Sequence, residues 1–440
     1  MERVTAIFVG MLITVTSGCA NRVITPNVSN ISTALADRSG FPTRDTARTF
    51  ETPAGINVAD GLTEDEVVAI ALWNHAGFQA DLATLGFSRA DVLDAGMIRN
   101  PIFSLLFPVG PKQLESALSW PIEALWQRPR RVAAAKLDAD RIAQSLIEHG
   151  LDLVRDARFA HIDALLAADR LALAQDIQAL RSQILQITEA RLRAGDISEI
   201  ELQPARNDVL VAQGDILNLE HGASVSAAQL SLVLGMILEN RTAAVVPSPL
   251  PTKTPQPPAA LIELAFASRP DMRASEIAIE AAGERAGWQR SRLFQLTATL
   301  DINGSGKEGF ELGPGIQAEL FTADRNQGGK QRAAAELEQA SRRYVLVRQQ
   351  IAKEVAEARI HYDQAQAALA QYRDRILPPL EETARRAERA FAAGDVSRLF
   401  VLEATSKLLQ ARVQYIDIQW RLRRARAELE RGVGTRMELS

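Results

Sequence analysis

From Pro129 to Arg193 the chain runs 65 residues with no internal proline and a single glycine, Gly150. At about 1.5 Å per residue, an unbroken helix there reaches about 97 Å. No compact globule needs such a rod, so the chain must be built from long helices lying side by side. Composition agrees: aromatics are only 5% and alanine is abundant, a profile that suits packed helices better than a thick core.

The long stretch carries a periodic face. Leu173, Ile177, Leu180, Ile184 and Ile187 step by 4, 3, 4, 3. The rhythm returns in Leu202, Ala205, Val209, Ala212, Ile216 and Leu219, and again in Leu399, Leu402, Ser406, Leu409, Val413, Ile416 and Trp420. Sustained spacing near 3.5 makes coiled-coil seams. The expected partners are the helices joined across each glycine turn. Pro378-Pro379 should break or kink the helix that holds them.

The chain is written twice. Ala133-Ala134-Ala135-Lys136-Leu137-Asp138 recurs as Ala333-Ala334-Ala335-Glu336-Leu337-Glu338, an offset of 200. Ala194-Gly195-Asp196-Ile197-Ser198 recurs as Ala393-Gly394-Asp395-Val396-Ser397, an offset of 199. Two anchors in register indicate tandem duplication. A proline cluster from Pro247 to Pro258 separates the copies and reads as an extended linker. Residues 20–60 are irregular and polar, an N-terminal arm. Thr63-Glu64-Asp65-Glu66 is a capping box that reopens helical order.

Each copy predicts a helix, two strands, a very long helix, a glycine turn and another long helix. Leu114, Ser116, Leu118, Trp120, Ile122 and Ala124 alternate with Glu115, Ala117, Ser119, Pro121 and Glu123. Leu296, Ala298, Leu300 and Ile302 alternate with Thr297, Thr299, Asp301 and Asn303, and Ile316, Ala318 and Leu320 with Gln317 and Glu319. Such alternation fits a half-exposed sheet, or a barrel with lipid outside and water inside. Pro121 requires a bulge or a strand end. At the turns, Gly195 and Gly394 accept positive φ at a helix C-terminus. Ser198 and Ser397, or Asp196 and Asp395, can cap the returning helices.

Several functions are excluded or discounted. A net charge of −4 gives no basic excess for nucleic acid. One cysteine, Cys19, forbids an intramolecular disulfide and the four-ligand cysteine zinc sites, and the five histidines are scattered. Gly304-Ser305-Gly306-Lys307-Glu308-Gly309 has dinucleotide-site spacing, but Gly313-Pro314-Gly315 follows where a helix must start, so it reads as a hairpin loop. Gly328-Gly329-Lys330 lacks the rest of a P-loop. No Ser/His/Asp signature is present, so an enzyme is not expected.

Ala6 to Val15 form a short apolar run, too short to span a bilayer and right for a signal peptide. Thr16-Ser17-Gly18-Cys19 resembles a lipobox, with Thr16 where leucine is usual. Lipidation at Cys19 competes with plain cleavage after Ala20, which would remove the cysteine, and with a buried helix carrying an inert thiol.

Taken together, the duplicated plan resembles the outer membrane efflux proteins of the TolC-like family, in their lipoprotein branch. The resemblance covers residues 60–435. It is carried by Asn100-Pro101, Trp126-Gln127-Arg128-Pro129-Arg130-Arg131, Arg269-Pro270-Asp271, Asn326-Gln327-Gly328-Gly329-Lys330-Gln331-Arg332 and the two Ala-Gly-Asp-(Ile/Val)-Ser turns. It implies a mainly α fold with a small β part. Duplicated helical hairpins would form a trimeric α-barrel tunnel, and four strands per subunit would enter a shared twelve-stranded outer-membrane β-barrel. It implies a signal peptide (1–18), a lipidated arm (19–60), a first repeat (61–245), a Pro-rich linker (246–260), a second repeat (261–435) and a tail (436–440).

The implied function is a passive exit duct of a tripartite efflux or secretion system in a Gram-negative outer membrane. The implied partners are two further copies, membrane lipid, an inner-membrane pump, and a periplasmic adaptor docking at Gly195, Asp196, Ser198, Gly394, Asp395 and Ser397. No cofactor or metal is implied beyond lipid on Cys19. In the family, acidic residues six or nine positions after the tip glycine ring a constriction. Here those positions hold Glu201 and Pro204 in the first copy and Phe400 and Glu403 in the second, so Glu201, Glu403 and Phe400 are the candidate gate. The rival readings are a pore-free coiled-coil tether and a periplasmic adaptor. The cargo, the class of pump and the resting state of the gate are not written in the residues.

Overall fold

The computed structural model describes residues 25–44, 50–107, 114–236, 243–251, 253–292, 295–304, 310–319 and 322–437. The expected signal segment and Cys19 lie outside the described residues. In chain order the helices are α1 (Val28–Ser39), α2 (Glu64–Asn74), α3 (Ala76–Gly96), α4 (Ala124–Arg193), α5 (Glu199–Val233), α6 (Pro258–Ser268), α7 (Pro270–Ser291), α8 (Gln327–Gln371), α9 (Leu377–Ala392) and α10 (Arg398–Val433). The strands are β1 (Ile102–Leu106), β2 (Leu114–Pro121), β3 (Leu296–Gly304) and β4 (Phe310–Ala318). The chain divides into two compact units.

One unit takes in Thr84–Ala143 and Ala274–Arg342 and holds the sheet. All neighbouring strands are antiparallel, in the order β1-β2-β3-β4. The β2–β3 pairing therefore joins the two repeats. Pro121 is the last residue of β2, where its missing N–H costs little. The fourth strand starts earlier than its alternation suggests and takes in Gly313-Pro314-Gly315. Pro314 is tolerated because β4 is an edge strand. The expected hairpin at the glycine-rich motif agrees with the pairing of Gly304 with Phe310.

The other unit takes in Val28–Ala83, Gln144–Arg273 and Arg343–Ser440. Within it, residues 144–193 of α4 give about 75 Å of helix. Leu173 and Leu180, with Ile177, Ile184 and Ile187, pack on Leu402, Leu409, Val413 and Ile416. The expected seam exists, but α4 joins α10 of the other repeat there rather than its own turn partner. Ion pairs fix the antiparallel register: Arg431 meets Asp152 at 2.7 Å, Arg424 meets Asp163 at 2.6 Å, and Arg170 meets Asp417 at 2.8 Å. Numbers fall on α10 as they rise on α4. A second face of α10 (Ile418, Leu422, Ala425, Leu429, Val433) closes a core with Ile351, Val355, Ala358, Tyr362, Ala365 and Leu369 of α8. Each large apolar side chain buried there contributes roughly 1.5–3 kcal/mol.

Pro378-Pro379 interrupts the α-helix as expected, but the chain stays helical. A π-helical turn, Tyr372–Ile376, precedes α9, and the Leu377 N–H reaches the carbonyl of Tyr372. The widened turn lets both prolines sit in the first turn of α9, where absent amides are tolerated. The arm is also less irregular than expected. Its α1 buries Ile31 and Leu35, one turn apart. The capping box forms as expected: the Thr63 N–H donates to Glu66 at 2.8 Å.

The Pro-rich linker is held by its carbonyls. His161 Nε2 lies 3.1 Å from the Val246 carbonyl, Arg359 Nε donates to Gln256 O at 3.3 Å, and Tyr362 Oη donates to Lys253 O at 3.0 Å. Arg423 Nη2 donates to Ser248 O. Prolines cannot supply amide donors, so helix side chains satisfy the acceptors that remain.

Candidate functional site: a two-faced sheet and two helical tips

The pairing register sorts the sheet into two unlike faces. Phe103 pairs with Leu118 and Leu105 with Ser116. Leu118 pairs with Leu300, Ser116 with Ile302 and Trp120 with Ala298. Ala298 pairs with Ile316 and Ile302 with Leu312. These residues share one face, and it is apolar. The other face carries Ser104, Glu115, Ala117, Ser119, Thr297, Thr299, Asp301 and Gln317, with Ile102 and Leu106 of β1 as its apolar members. In a strand, alternate residues point to opposite sides. The apolar face is uncovered at Leu312 and Ile316, which are 65% and 72% exposed. Among the described residues, β1 and β4 are the edge strands, each paired on one side only.

The tips belong to the helical unit and are built alike. The Gly195 N–H donates to Leu192 O at 2.9 Å and the Asp196 N–H to Arg191 O at 2.9 Å. The Gly394 N–H donates to Phe391 O at 2.9 Å and the Asp395 N–H to Ala390 O at 2.8 Å. Each is a Schellman motif with glycine in the left-handed region, at φ 79° and 86°. Ser198 and Ser397 are the N-caps of the returning helices, not Asp196 or Asp395. Gly195, Asp196, Ser198, Gly394, Asp395 and Ser397 are all exposed.

The candidate gate residues have different surroundings. The Glu201 carboxylate accepts the Ser198 N–H at 2.7 Å and the Ser198 hydroxyl at 2.8 Å. Those two bonds hold it below the usual carboxylate range. Glu403 is exposed on α10, and Phe400, 49% exposed, donates its N–H to Ser397 O at 3.1 Å. Among the described residues, no group of three or more His, Cys, Asp or Glu is placed to hold a metal ion. No helix among them is long and apolar enough to cross a membrane.

A further pair of glycines matches between the repeats. Gly235 and Gly434 stand 199 residues apart, the same offset as the tips. Their φ values are 74° and 83°. A Cβ at Gly235 would lie 2.4 Å from Asn74 O, and one at Gly434 would lie 3.2 Å from Arg269 Cα. In both repeats the returning helix thus ends against the break between two short helices. The repeat offset itself was the signal that could have found them. Arg269, singled out in the sequence, pins that break: it meets Asp271 at 2.7 Å and Glu354 at 2.6 Å.

The described residues combine a four-stranded antiparallel sheet, apolar on one face, with long helices packed in pairs. A family model described as outer membrane efflux protein matches residues 261–435. The matched residues make up the second repeat. The chain is 23% identical over 381 residues to the cobalt-zinc-cadmium resistance protein CzcC of Cupriavidus metallidurans, spanning 86% of this chain and 91% of that one. It is 26% identical over 318 residues to the pyoverdine export outer membrane protein OpmQ of Pseudomonas putida, spanning 69% and 66%. The fold is that of CusC, solved in work on transmembrane channel formation: the TM-score is 0.69 at 19% identity, over 89% of this chain and all but 1% of the other, 99% being covered.

Proposed function

We propose that the protein is the outer-membrane exit duct of a tripartite efflux system, acting as a passive homotrimeric channel. The observation that carries this reading is the two-faced sheet with two free edges. Unpaired strand edges cannot remain in lipid, because each unsatisfied amide or carbonyl there costs several kcal/mol. Three copies supply twelve strands and close the sheet, apolar face to lipid and polar face to water. Uncovered apolar side chains on the helices, such as Leu210 and Leu217 of α5 and Ile360 of α8, give neighbouring copies a surface to pack on.

The duct needs no covalent chemistry. The exposed tips offer docking points for a periplasmic adaptor, and an inner-membrane pump supplies the energy. The lipid anchor falls to Cys19. Relatives are named for cobalt, zinc and cadmium in one case and for pyoverdine in another, so cargo choice belongs to the pump. Glu403 is the better gate candidate, since its carboxylate is exposed while Glu201 is engaged in a cap. Three copies of one carboxylate near an axis favour cations.

Single-channel conductance in a planar bilayer tests this, with Glu403→Ala and Glu201→Ala beside the wild type. Discrete cation-preferring steps are expected, with selectivity weakened in Glu403→Ala. Silence from all three, in samples shown to be trimeric and inserted, would overturn the duct in favour of a pore-free tether.

A further inference from the structure

We propose that Arg99, Arg128 and Arg131 form a binding site for the headgroup of an anionic phospholipid, at the helix-side end of the sheet. The inference rests on the membrane reading above and lies within the sheet-bearing unit.

Arg128 and Arg131 are tied to neighbouring backbone carbonyls, and Arg99, two residues past Met97, acts on Arg131 through its charge. Arg128 Nε donates to Gly96 O at 2.7 Å, and Arg131 Nη2 donates to Met97 O at 3.0 Å. Those adjacent carbonyls belong to the last residue of α3 and the one after it, and they fix two guanidinium groups side by side. Burial, then the positive charges of Arg99 and Arg128, push the Arg131 guanidinium below its ordinary pKa. Arg131 Nε is buried with no hydrogen-bond partner. Among the described residues, none of the three makes an ion pair with a carboxylate. Their neighbours do: Arg130 meets Glu284 at 3.3 Å and Arg285 meets Asp138 at 2.6 Å. The chain thus supplies carboxylates to adjacent arginines and leaves this cluster with its charge uncompensated.

Position points to the ligand. Arg99 stands just before β1 (Ile102–Leu106), and Arg128 two turns of chain after β2 (Leu114–Pro121). These are the strand ends opposite the 108–113 connection. Beside the cluster, Leu93, Met97, Leu125 and Trp126 are exposed. Along α4, leaving the sheet, exposed Leu125 and Trp126 come before Arg128 and Arg131, the order that a lipid presents, acyl chain first and phosphate last. Inorganic phosphate shares the headgroup's charge, but it has no use for the exposed apolar rim. A phospholipid fills both.

The full-length assembly is reconstituted in phosphatidylcholine vesicles with and without phosphatidylglycerol, and lipid retention is read by native mass spectrometry. Wild type is expected to retain phosphatidylglycerol over phosphatidylcholine. Arg99→Gln/Arg128→Gln/Arg131→Gln should lose that preference, by about fivefold per charge removed. Arg99→Gln alone breaks neither carbonyl tie and serves if the triple variant does not fold. Arg→Lys at the same positions should keep most of the preference. Equal retention of the two lipids by wild type, or an unchanged preference in both glutamine variants, overturns the site. A thermal midpoint raised as much by inorganic phosphate as by phosphatidylglycerol also overturns it, leaving a small-anion site. Insertion into both vesicle types without lipid preference would leave the channel reading intact, whereas failure to insert in either would count against the channel itself.

Discussion

Gly150 lies directly under Leu35. A Cβ at position 150 would stand 2.6 Å from one Leu35 methyl and 2.8 Å from the other. Leu35 is fully buried, so it has nowhere to retreat without lifting α1. The single glycine in a long helix is therefore a contact, not a flaw: it lets the N-terminal arm dock on α4.

Gly150→Ala gains up to about 1 kcal/mol in helix propensity but forces Leu35 outward, an overpacking cost of about 1–3 kcal/mol. The net expectation is destabilisation centred on the arm, seen as faster proteolysis within residues 25–44. Leu35→Ala alone should cost about 2–5 kcal/mol. The double variant should cost less than the sum, with a coupling of about 1 kcal/mol in thermal or denaturant melts. Strict additivity would show that the two residues do not touch.

Arg158 is a buried cation on α4 that pairs with Glu430 of α10 and, at 3.2 Å, with Glu64 of α2. Arg158→Met leaves those carboxylates without their partner, and should cost about 3–5 kcal/mol. Arg426 sits 3.1 Å from Glu430 and offsets part of the loss. Chemical denaturation of the variant checks this; a change under about 1 kcal/mol would mean the site is hydrated rather than buried.

His161 is the acid-sensitive joint. Burial holds it below its ordinary pKa, although Glu64 and the Leu62 and Val246 carbonyls pull the other way. Nδ1 is buried with no partner, so a second proton has no acceptor. The unfolded chain takes up that proton first as pH falls. Its contribution is therefore complete above about pH 6.5 and is lost progressively below it. His161→Gln keeps a donor for the carbonyls and removes the titration. Its thermal midpoint should fall less between about pH 7.5 and pH 5.5 than that of wild type. Parallel pH curves for the two proteins would refute this. Glu148, whose pKa is raised by burial and then by Asp271, acts with the opposite sign and is present in both.

The tip glycines separate backbone strain from crowding. Nothing lies within 4 Å of a Cβ built at Gly195 or Gly394. Gly394→Ala should therefore cost only the left-handed backbone penalty, about 1 kcal/mol. Gly394→Asn should recover much of it. Hydrogen exchange of the Asp395 amide, which closes the turn on Ala390, reads the effect locally. A much larger loss for alanine would point to a packed tip.

Local features were legible because local geometry fixes them. A helix end that reverses needs a left-handed residue, so Gly195 and Gly394 announced the turns. Ser198 and Ser397 could be named as caps, though Asp196 and Asp395 competed on type alone. Strand alternation assigned the faces of β2 and β3 before any pairing was known, but not those of β1, where Ile102, Phe103, Leu105 and Leu106 put apolar side chains on both sides. The π turn at Tyr372–Ile376 was hidden, because two prolines signal a disturbance but not the way a chain absorbs it. The arm helix was hidden for a related reason: its stability comes from Ile31 and Leu35 meeting another element.

The sequence by itself determined the duplicated hairpins, the tip geometry and the amphipathic strands, since each follows from hydrogen bonds and side-chain periods within a short stretch. Only the tertiary structure decided which seams meet. A 4-3-4-3 spacing says that a helix has an apolar stripe, not whose stripe it will cover. The choice of α10 for α4 was made by matched leucines and an antiparallel ladder of ion pairs between residues some 250 positions apart, Arg170 with Asp417 at |i−j| 247 among them. The same distance in sequence hid the reason for Gly150, whose open side is meaningful only once Leu35 lies across it.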